Sequence, residues 1–170
     1  MKLKNLPVIL GFVILLLTLP AAVFLLSQRQ ESRIGAKLSA NALVYLWPQR
    51  FELPRDQSVT LEVKVDTKDQ LAKRVEATIT FDPQLITIEN TTIKPASGVR
   101  LAQKALNHKT GILQLSGVGD FRKVNTLATF KIKGRDSGIT ELKIQEAHVW
   151  DPSGQVDIFE NAMDAEITIQ

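Results

Sequence analysis

The chain contains no cysteine, only two histidines and few aromatic side chains, which make up 6% of its 170 residues. Without thiols there can be no disulfide, no thiolate metal site and no cysteine nucleophile. His108 and His148 lie far apart and belong to no HxH or HExxH spacing, so we predict no histidine metal site. An extracellular location stays open, because a domain of this length forms a core without disulfides.

Sequence motifs for catalysis are also missing. The chain has no G-x-S-x-G nucleophile elbow and no GxxxxGK[ST] or GxGxxG phosphate-binding loop. Its carboxylates are numerous, but their spacing marks no pair as the acid and base of a glycosidase. We therefore predict a binding module without a cofactor, and not an enzyme. A weak calcium site is kept as an alternative near Asp151 and Asp157, which bracket a glycine-containing loop.

Outside the first five residues the chain carries almost no net charge. The formal net charge is +3 and the pI is about 9.2, but Lys2 and Lys4 account for two of these charges. Without them, 19 basic side chains stand against 18 acidic ones, and no block of lysine and arginine occurs. Nucleic-acid binding, which needs a basic surface, is therefore not predicted.

One long hydrophobic run is present, and it comprises the 21 residues 6–26, none of which is charged. As a helix this run would be about 31 Å long, which matches the hydrocarbon core of a bilayer. Lys2 and Lys4 precede the run and favour a cytoplasmic N-terminus. The sequence thus predicts a single-pass protein of the cell membrane, with a cytoplasmic stub (1–5), a transmembrane helix (6–26), a linker (27–42) and an extracellular domain (43–170). A cleaved signal peptide is the alternative to a retained helix.

From residue 43 onward the hydrophobic period is two, which is typical of strands that bury one face. The clearest alternating series have apolar residues at 59–65, 75–81, 128–132, 142–144 and 165–169. Turn residues separate them at 54–56, 82–83, 107–111, 117–120, 134–138 and 151–154. Residues 101–106 are expected to form an irregular strand. We predict an all-β fold, a two-sheet antiparallel β-sandwich with roughly eight to nine strands.

The order of these segments resembles the cohesin domains of cellulosomal scaffoldins, and this resemblance implies that the sandwich is of jelly-roll type. It is also similar to the wider superfamily that includes carbohydrate-binding modules of families 2 and 3. The resemblance covers about residues 40–170, and its most specific element is the FDPQL turn at 81–85. The sequences that carry it are SVTLEVKVDT (58–67), VEATITFDPQLITIE (75–89), GILQLSG (111–117), LATFKIKGRDSGITELKI (127–144) and DPSGQVD (151–157).

The resemblance implies a function for one sheet face. Cohesins bind dockerin modules through such a face, and the calcium belongs to the dockerin. The corresponding strands would lie near 75–81 and 111–118. The chain is therefore expected to be a membrane-anchored, extracellular, non-catalytic module that docks a dockerin-like protein partner. Its candidate partner-binding residues are Glu76, Thr78, Thr80, Gln114 and Ser116.

Two other functions remain open. A carbohydrate-binding module that holds polysaccharide at the cell surface would present exposed rings, for which Tyr45, Trp47 and Trp150 are the candidates. We expect instead that both tryptophans cover the ends of the sandwich as structural residues. A structural subunit of a surface assembly would instead offer an unprotected edge strand for pairing. Coplanar rings, a flat polar face and a free edge are the features that distinguish the three functions.

Overall fold

A computed structural model describes residues 41–170, which form twelve β-strands and one 3₁₀ turn, Asn90–Thr92. The predicted stub, the transmembrane helix 6–26 and the linker up to residue 40 lie outside the described residues. Within 41–170, no helix is long and apolar enough to cross a membrane. The strands are β1 (Ala42–Trp47), β2 (Arg50–Leu53), β3 (Ser58–Asp66), β4 (Ala72–Thr80), β5 (Ile86–Ile88), β6 (Lys94–Pro95), β7 (Arg100–Asn107), β8 (Ile112–Phe121), β9 (Val124–Gly134), β10 (Gly138–Trp150), β11 (Phe159–Met163) and β12 (Ala165–Ile169).

The strands form two sheets of six. The first sheet has the order β11-β1-β3-β9-β5, with β6 also paired to β9, and the second has the order β2-β12-β10-β4-β8-β7. The prediction of an all-β, two-sheet sandwich is confirmed, but the predicted number of strands is too low. The additional strands include β2, β5 and β6, which have only two to four residues. Pieces this short carry no recognisable period-two signal.

The alternating apolar residues predicted from the sequence form the core. On β3, Leu61, Val63 and Val65 are fully buried, whereas the intervening Glu62 and Lys64 are half-exposed. The same alternation is found on β4, β9, β10 and β12. Burial of one such aliphatic or aromatic side chain contributes about 1.5–3 kcal/mol relative to exposure. The inner faces of the two sheets therefore supply the main stabilisation, and the outer faces are left free.

The two ends of the domain run side by side, which makes the sandwich not purely antiparallel. β1 is parallel to β11 in the first sheet, and β2 is parallel to β12 in the second. Between β1 and β2 the chain crosses from the first sheet to the second through Pro48 and Gln49. Between β11 and β12 it makes the same crossing, at the same level, through Asp164. The backbone N–H of Glu166 donates a 2.7 Å hydrogen bond to the carbonyl of Gln49 and joins the crossings. Sequence periodicity carries no information about this pairing.

One predicted turn, at residues 117–120, is wrong, because β8 continues through it to Phe121. The glycines of this segment are needed because a side chain there would clash with neighbouring parts of the domain. A Cβ on Gly117 would overlap the buried side chain of Leu127, and a Cβ on Gly119 would lie 2.9 Å from the carbonyl oxygen of Gly98. The expected irregular strand at 101–106 is confirmed as β7, which contains a β-bulge between Leu101 and Gln103.

We predict that Gly111→Ala destabilises the domain far more than Gly154→Ala. Both glycines have positive φ, +64° and +70°, but a Cβ on Gly111 would overlap the carbonyl oxygen of Phe81 whereas Gly154 has open space. Backbone strain and the clash together should cost Gly111→Ala about 3 kcal/mol, and strain alone should cost Gly154→Ala about 1 kcal/mol. Urea unfolding of both variants measures the difference. Equal losses would contradict the tight packing inferred at Gly111.

Candidate functional site

The outer face of the second sheet brings most of the candidate partner-binding residues together. Glu76 of β4 lies opposite Ser116 of β8, and Thr78 lies opposite Gln114 on the next rung. These four residues line one shallow depression of about 240 Å³. Thr80 stands outside it, opposite Ile112 at the end of β4.

Three further polar residues line the depression, and the sequence interpretation missed them. His148 lies opposite Glu76, and Glu146 lies opposite Thr78, both from β10. Gln103 of β7 lies opposite Ser116 on the other side. The order of strands across a sheet is decided by long-range pairing, so no local pattern marks these residues as neighbours of the candidates.

Small side chains at the centre explain why the face is concave. Ser116 is only 8% exposed, and its hydroxyl lies 3.4 Å from Oε1 of Glu76 as a hydrogen-bond donor. Nε of Arg74 approaches the same carboxylate oxygen at 3.5 Å. Glu76 is therefore held from two sides, at the wall of the depression. A surface of this kind can receive a polar side chain of a partner against defined acceptors.

His148 connects the face to the loop that follows β10. Its Nδ1 lies 2.7 Å from Oδ2 of Asp157, and its Nε2 lies 3.3 Å from Oε1 of Glu146. The hydrogen bond to Asp157 is the largest cause of a raised pKa for His148, and the bond to Glu146 adds to it against the opposing effect of burial. The protonated imidazole donates to both carboxylates at once, so its charge is well compensated.

The loop at 151–157 is closed by its own carboxylates. Asp151 is buried and accepts hydrogen bonds from the Ser153 hydroxyl and from the backbone N–H groups of Gln155 and Val156. Burial raises the pKa of Asp151, but these hydrogen bonds together outweigh it and leave the pKa lowered. Asp157 accepts from the backbone N–H groups of Val149 and Phe159.

These hydrogen bonds bear on the predicted weak calcium site. All four oxygens of Asp151 and Asp157 already accept hydrogen bonds, so a calcium ion would share these carboxylates with the donors that close the loop. Across residues 41–170, no group of three or more His, Cys, Asp or Glu side chains could hold a metal ion. Calcium at this loop stays a prediction that the contacts do not favour.

The three candidate sugar-binding rings do not form one platform. Trp150 ends β10 on the second sheet, where it stacks on His148 at 5.7 Å between ring centroids with Arg74 4.9 Å from its ring. Tyr45 and Trp47 lie on β1 of the other sheet. Trp150 is half-buried and covers one end of the face, whereas Trp47 is 52% exposed. Trp150 is thus positioned as a structural residue that covers one end of the sandwich, whereas the exposure of Trp47 does not agree with that role.

We predict that the His148–Asp157 pair makes stability depend on pH. The folded-state pKa of His148 is raised above 6.5, so its contribution is complete below pH 6.5 and is lost as the pH rises through the higher folded value. The folded-state pKa of Asp157 is lowered, because its hydrogen bonds outweigh burial, so its contribution is present above pH 3.8 and is lost as the pH falls through the lower folded value.

The measurement is the urea midpoint of the wild type and of His148→Gln between about pH 5 and about pH 9. The wild type should lose stability relative to the variant above neutral pH, by about 0.5 kcal/mol because the pair is partly exposed to water. His108→Gln serves as the matched control. Parallel pH profiles for the wild type and His148→Gln would contradict the coupling.

Comparison with known proteins finds similarity in structure and not in sequence. No protein-family model and no curated protein matches the chain. A non-cellulosomal cohesin of the archaeon Archaeoglobus fulgidus superposes with a TM-score of 0.60 at 11% identity and covers 76% of this chain and 91% of its own. The cohesin module of a family 33 glycoside hydrolase from Clostridium perfringens gives 0.61 at 12% identity, with coverage of 76% and 97%.

A third similar structure was solved with a partner. The third ScaB cohesin of R. flavefaciens, in complex with a group 1 dockerin, gives a TM-score of 0.55 at 15% identity and covers 77% of this chain and 97% of its own. Identities this low establish the architecture alone. The cohesin-like sandwich suggested by the FDPQL turn and its neighbouring strands is therefore confirmed: residues 41–170 have the cohesin fold.

Proposed function

We propose that this domain is a non-catalytic docking module that binds a dockerin-like protein partner on the outer face of β10-β4-β8-β7. The observation that carries the proposal is the polar depression on that face, with Glu76 and Ser116 at its wall and Thr78 and Gln114 beside them. It lies on a domain with the cohesin fold, and one similar cohesin was solved with a dockerin bound.

The chemistry of the face is suited to a protein partner. Its surface is polar and only shallowly concave, and it presents carboxylates, amides and hydroxyls from adjacent strands. Charged groups of both signs alternate there, for example Arg74 beside Glu76 at 3.5 Å. Such surfaces select a partner by complementary hydrogen bonds and charges rather than by a deep cavity.

We further propose that the module is displayed outside the cell. The support is the uncharged run at 6–26, preceded by Lys2 and Lys4. In this arrangement residues 1–5 are cytoplasmic, the helix spans the cell membrane once, and the docking face meets partners on the extracellular side. The short polar segment after residue 26 supplies the distance from the bilayer.

The other two functions have weaker support. A polysaccharide platform made of Tyr45, Trp47 and Trp150 is not assembled, because the rings lie on different sheets.

Pairing through β7, an edge strand of the second sheet, is opposed by Lys104. This residue lies in register with the core residue Leu115 and its Nζ is 3.4 Å from the carbonyl of Asn90, so a positive charge stands on the inward side of the edge.

We predict that the double variant Thr78→Arg, Gln114→Arg abolishes partner capture. Two arginines would fill the depression and add charge to a surface matched to the partner, which should weaken binding by about 100-fold. The measurement is pull-down from extracellular protein with the full chain, with the captured partner identified by mass spectrometry. Its affinity is then measured with each purified variant.

The matched control is Thr60→Arg, Thr129→Arg, which adds the same charge to the outer face of the first sheet, on β3 and β9. The control should capture the partner as the wild type does. A partner that both double variants retain would place the docking surface elsewhere. Loss in both variants would show a dependence on net charge and not on the proposed face.

We predict that protease treatment of intact cells removes an epitope placed after residue 170 and spares an epitope placed before residue 1. The physical reason is that the bilayer shields the cytoplasmic stub and leaves the folded domain outside. Immunoblotting of both epitopes before and after permeabilisation is the measurement. Survival of the C-terminal epitope on intact cells would contradict the topology. Loss of the N-terminal epitope before any protease is added would indicate a cleaved signal peptide.

A further inference from the structure

Two recesses outside the docking face differ in the charges around them. A cavity of about 600 Å³ lies where the two ends of the domain cross between the sheets, and Trp47 lines it together with charges of both signs, Arg50 and Glu166 among them. A depression of about 270 Å³ lies on the outer face of the first sheet. Its lining has four threonines, two lysines and no carboxylate: Thr60, Thr91, Thr92, Lys94, Thr129 and Lys131. A lining with charge of one sign only indicates the class of its ligand.

The depression lies over β9, between β3 on one side and β6 with the preceding 3₁₀ turn on the other. Thr60 of β3 lies opposite Lys131 of β9, and Lys94 of β6 lies opposite Thr129. Residues 129 and 131 share the outer face, because alternate residues of a strand point to the same side. Lys94 and Lys131 are therefore diagonal neighbours, with Cα atoms about 7–8 Å apart. The pairing of the sheet brings two ammonium groups to one recess.

The 3₁₀ turn Asn90–Thr92 forms a fixed wall of the depression. The backbone N–H of Lys131 donates to Oγ1 of Thr92 at 2.8 Å, and the carbonyl of Lys131 accepts from the N–H of Glu89 at 3.1 Å. Oγ1 of Thr92 in turn donates to the carbonyl of Glu89 at 2.7 Å. Ile93, which follows the turn, is buried in the core. The wall is thus held in place before any ligand arrives, which lowers the entropic cost of binding.

The lysines of the depression have no carboxylate partner among residues 41–170. Lys94 and Lys131 form no ion pair there, and Nζ of Lys104 lies at the same turn, 3.4 Å from the carbonyl of Asn90, also without a carboxylate. Six of the ten lysines in this part of the chain do form such pairs: Lys64, Lys68, Lys73, Lys123, Lys133 and Lys143. Positive charge without compensation is therefore concentrated around the turn.

Two acidic residues lie close in the fold and leave this charge unneutralised. Glu62 is opposite Thr129, but its carboxylate lies 3.0 Å from the hydroxyl of Thr126 and 3.5 Å from Nζ of Lys64, toward the other end of the face. Glu89 precedes the turn and is exposed, and it does not line the depression. An anion that enters the recess meets donors and no lining carboxylate.

Three hydroxyls of the lining are available as further donors. The side chains of Thr60, Thr91 and Thr129 make no hydrogen bond within the described residues, whereas Thr92 is occupied in holding the turn. Threonine is common on exposed strand faces, so these hydroxyls alone indicate nothing. Beside two unpaired ammonium groups they complete a recess in which every free side-chain group of the lining can donate to a ligand.

We propose that this depression binds a tetrahedral oxyanion, a phosphate or sulfate group, between Lys94 and Lys131. Such a group presents at least three acceptor oxygens, and hydrogen bonds between charged groups are the strong ones. A carboxylate has only two oxygens and would leave donors unused, and a cation would be repelled. The volume lies just below the range of about 300–1,000 Å³ that is typical for drug-sized ligands, which fits a small charged group. The depression is on the sheet opposite the docking face, so the proposal does not rest on the proposed function.

A phosphate group can reach the domain in solution or on a lipid headgroup. Asp66 of β3 pairs with Leu43, close to the point where the chain enters the domain. Thr60 lies roughly 20 Å further along β3, at about 3.3 Å per residue. The depression is therefore at the end of the first sheet away from the predicted anchor, which favours the source in solution.

The probes are inorganic phosphate and sulfate, titrated at constant ionic strength into the full chain in phosphatidylcholine nanodiscs, with sodium chloride as the reference salt. The measurement is the NMR shift of the backbone amides at 91–94 and 129–131. We expect saturable shifts with both oxyanions and none with chloride. Replacement of the lipid by phosphatidylglycerol, without added oxyanion, should leave these amides unchanged. Shifts on that replacement would support the same site with the headgroup as its ligand.

The variant Lys94→Gln, Lys131→Gln should weaken phosphate binding about tenfold or more, because it removes both charged donors. Lys94→Arg, Lys131→Arg keeps charge and donors and should bind within about threefold of the wild type. The matched control is Lys109→Gln, Lys123→Gln, which loses the same charge at exposed turns on either side of β8 and should bind as the wild type does. Amide shifts outside the depression report whether each variant keeps the fold.

Three results would overturn the proposal. The first is the absence of a saturable shift with either oxyanion. The second is an equal response to chloride, which would mean general screening of charge. The third is an equal loss of affinity in the control variant, which would mean a dependence on net charge and not on this recess.

Discussion

Burial of the two inner sheet faces is the constraint on which every other feature of this domain depends. Side chains alternate along a strand, so a shift of one residue would turn the whole apolar face of that strand outward. The fully buried residues Leu61, Val75 and Phe130 therefore lock the register of β3, β4 and β9. Once the inward side chains are locked, the outward ones are locked too. The depression at Glu76 and Ser116 is a consequence of core packing.

Two depressions in the surface follow from the same packing by different routes. The proposed docking face is formed by regular antiparallel pairing, which places small polar side chains next to one another on adjacent strands. The cavity at Trp47 arises where regular pairing is interrupted, because both ends of the domain leave one sheet and enter the other.

His148 shows how the loop after β10 is integrated with the docking face. Its imidazole joins Asp157 of the loop to Glu146 of the sheet, and its ring lies under Trp150. Asp157 in turn fixes the backbone of Val149 and Phe159. The same residue thus lines the depression and closes the loop, so the shape of the face and the stability of the loop are linked through one titrating group.

The sequence by itself determined the fold class and the inward residues, because a period of two shows which side chains share a face. The four candidates that line the depression came from the resemblance to cohesins, which pointed to the strands that carry them. The FDPQL turn and the order of the strands pointed to the cohesin architecture. The sequence could not show that the glycines of β8 serve close packing, because glycines are also typical of turns. It also could not show that the two ends of the domain pair in parallel. Only the tertiary structure brought His148, Glu146 and Gln103 to the candidates and showed that Trp47 and Glu166 line the same cavity, because these neighbours come from strands distant in the chain. Local patterns fix where a side chain points, and long-range pairing decides what it meets.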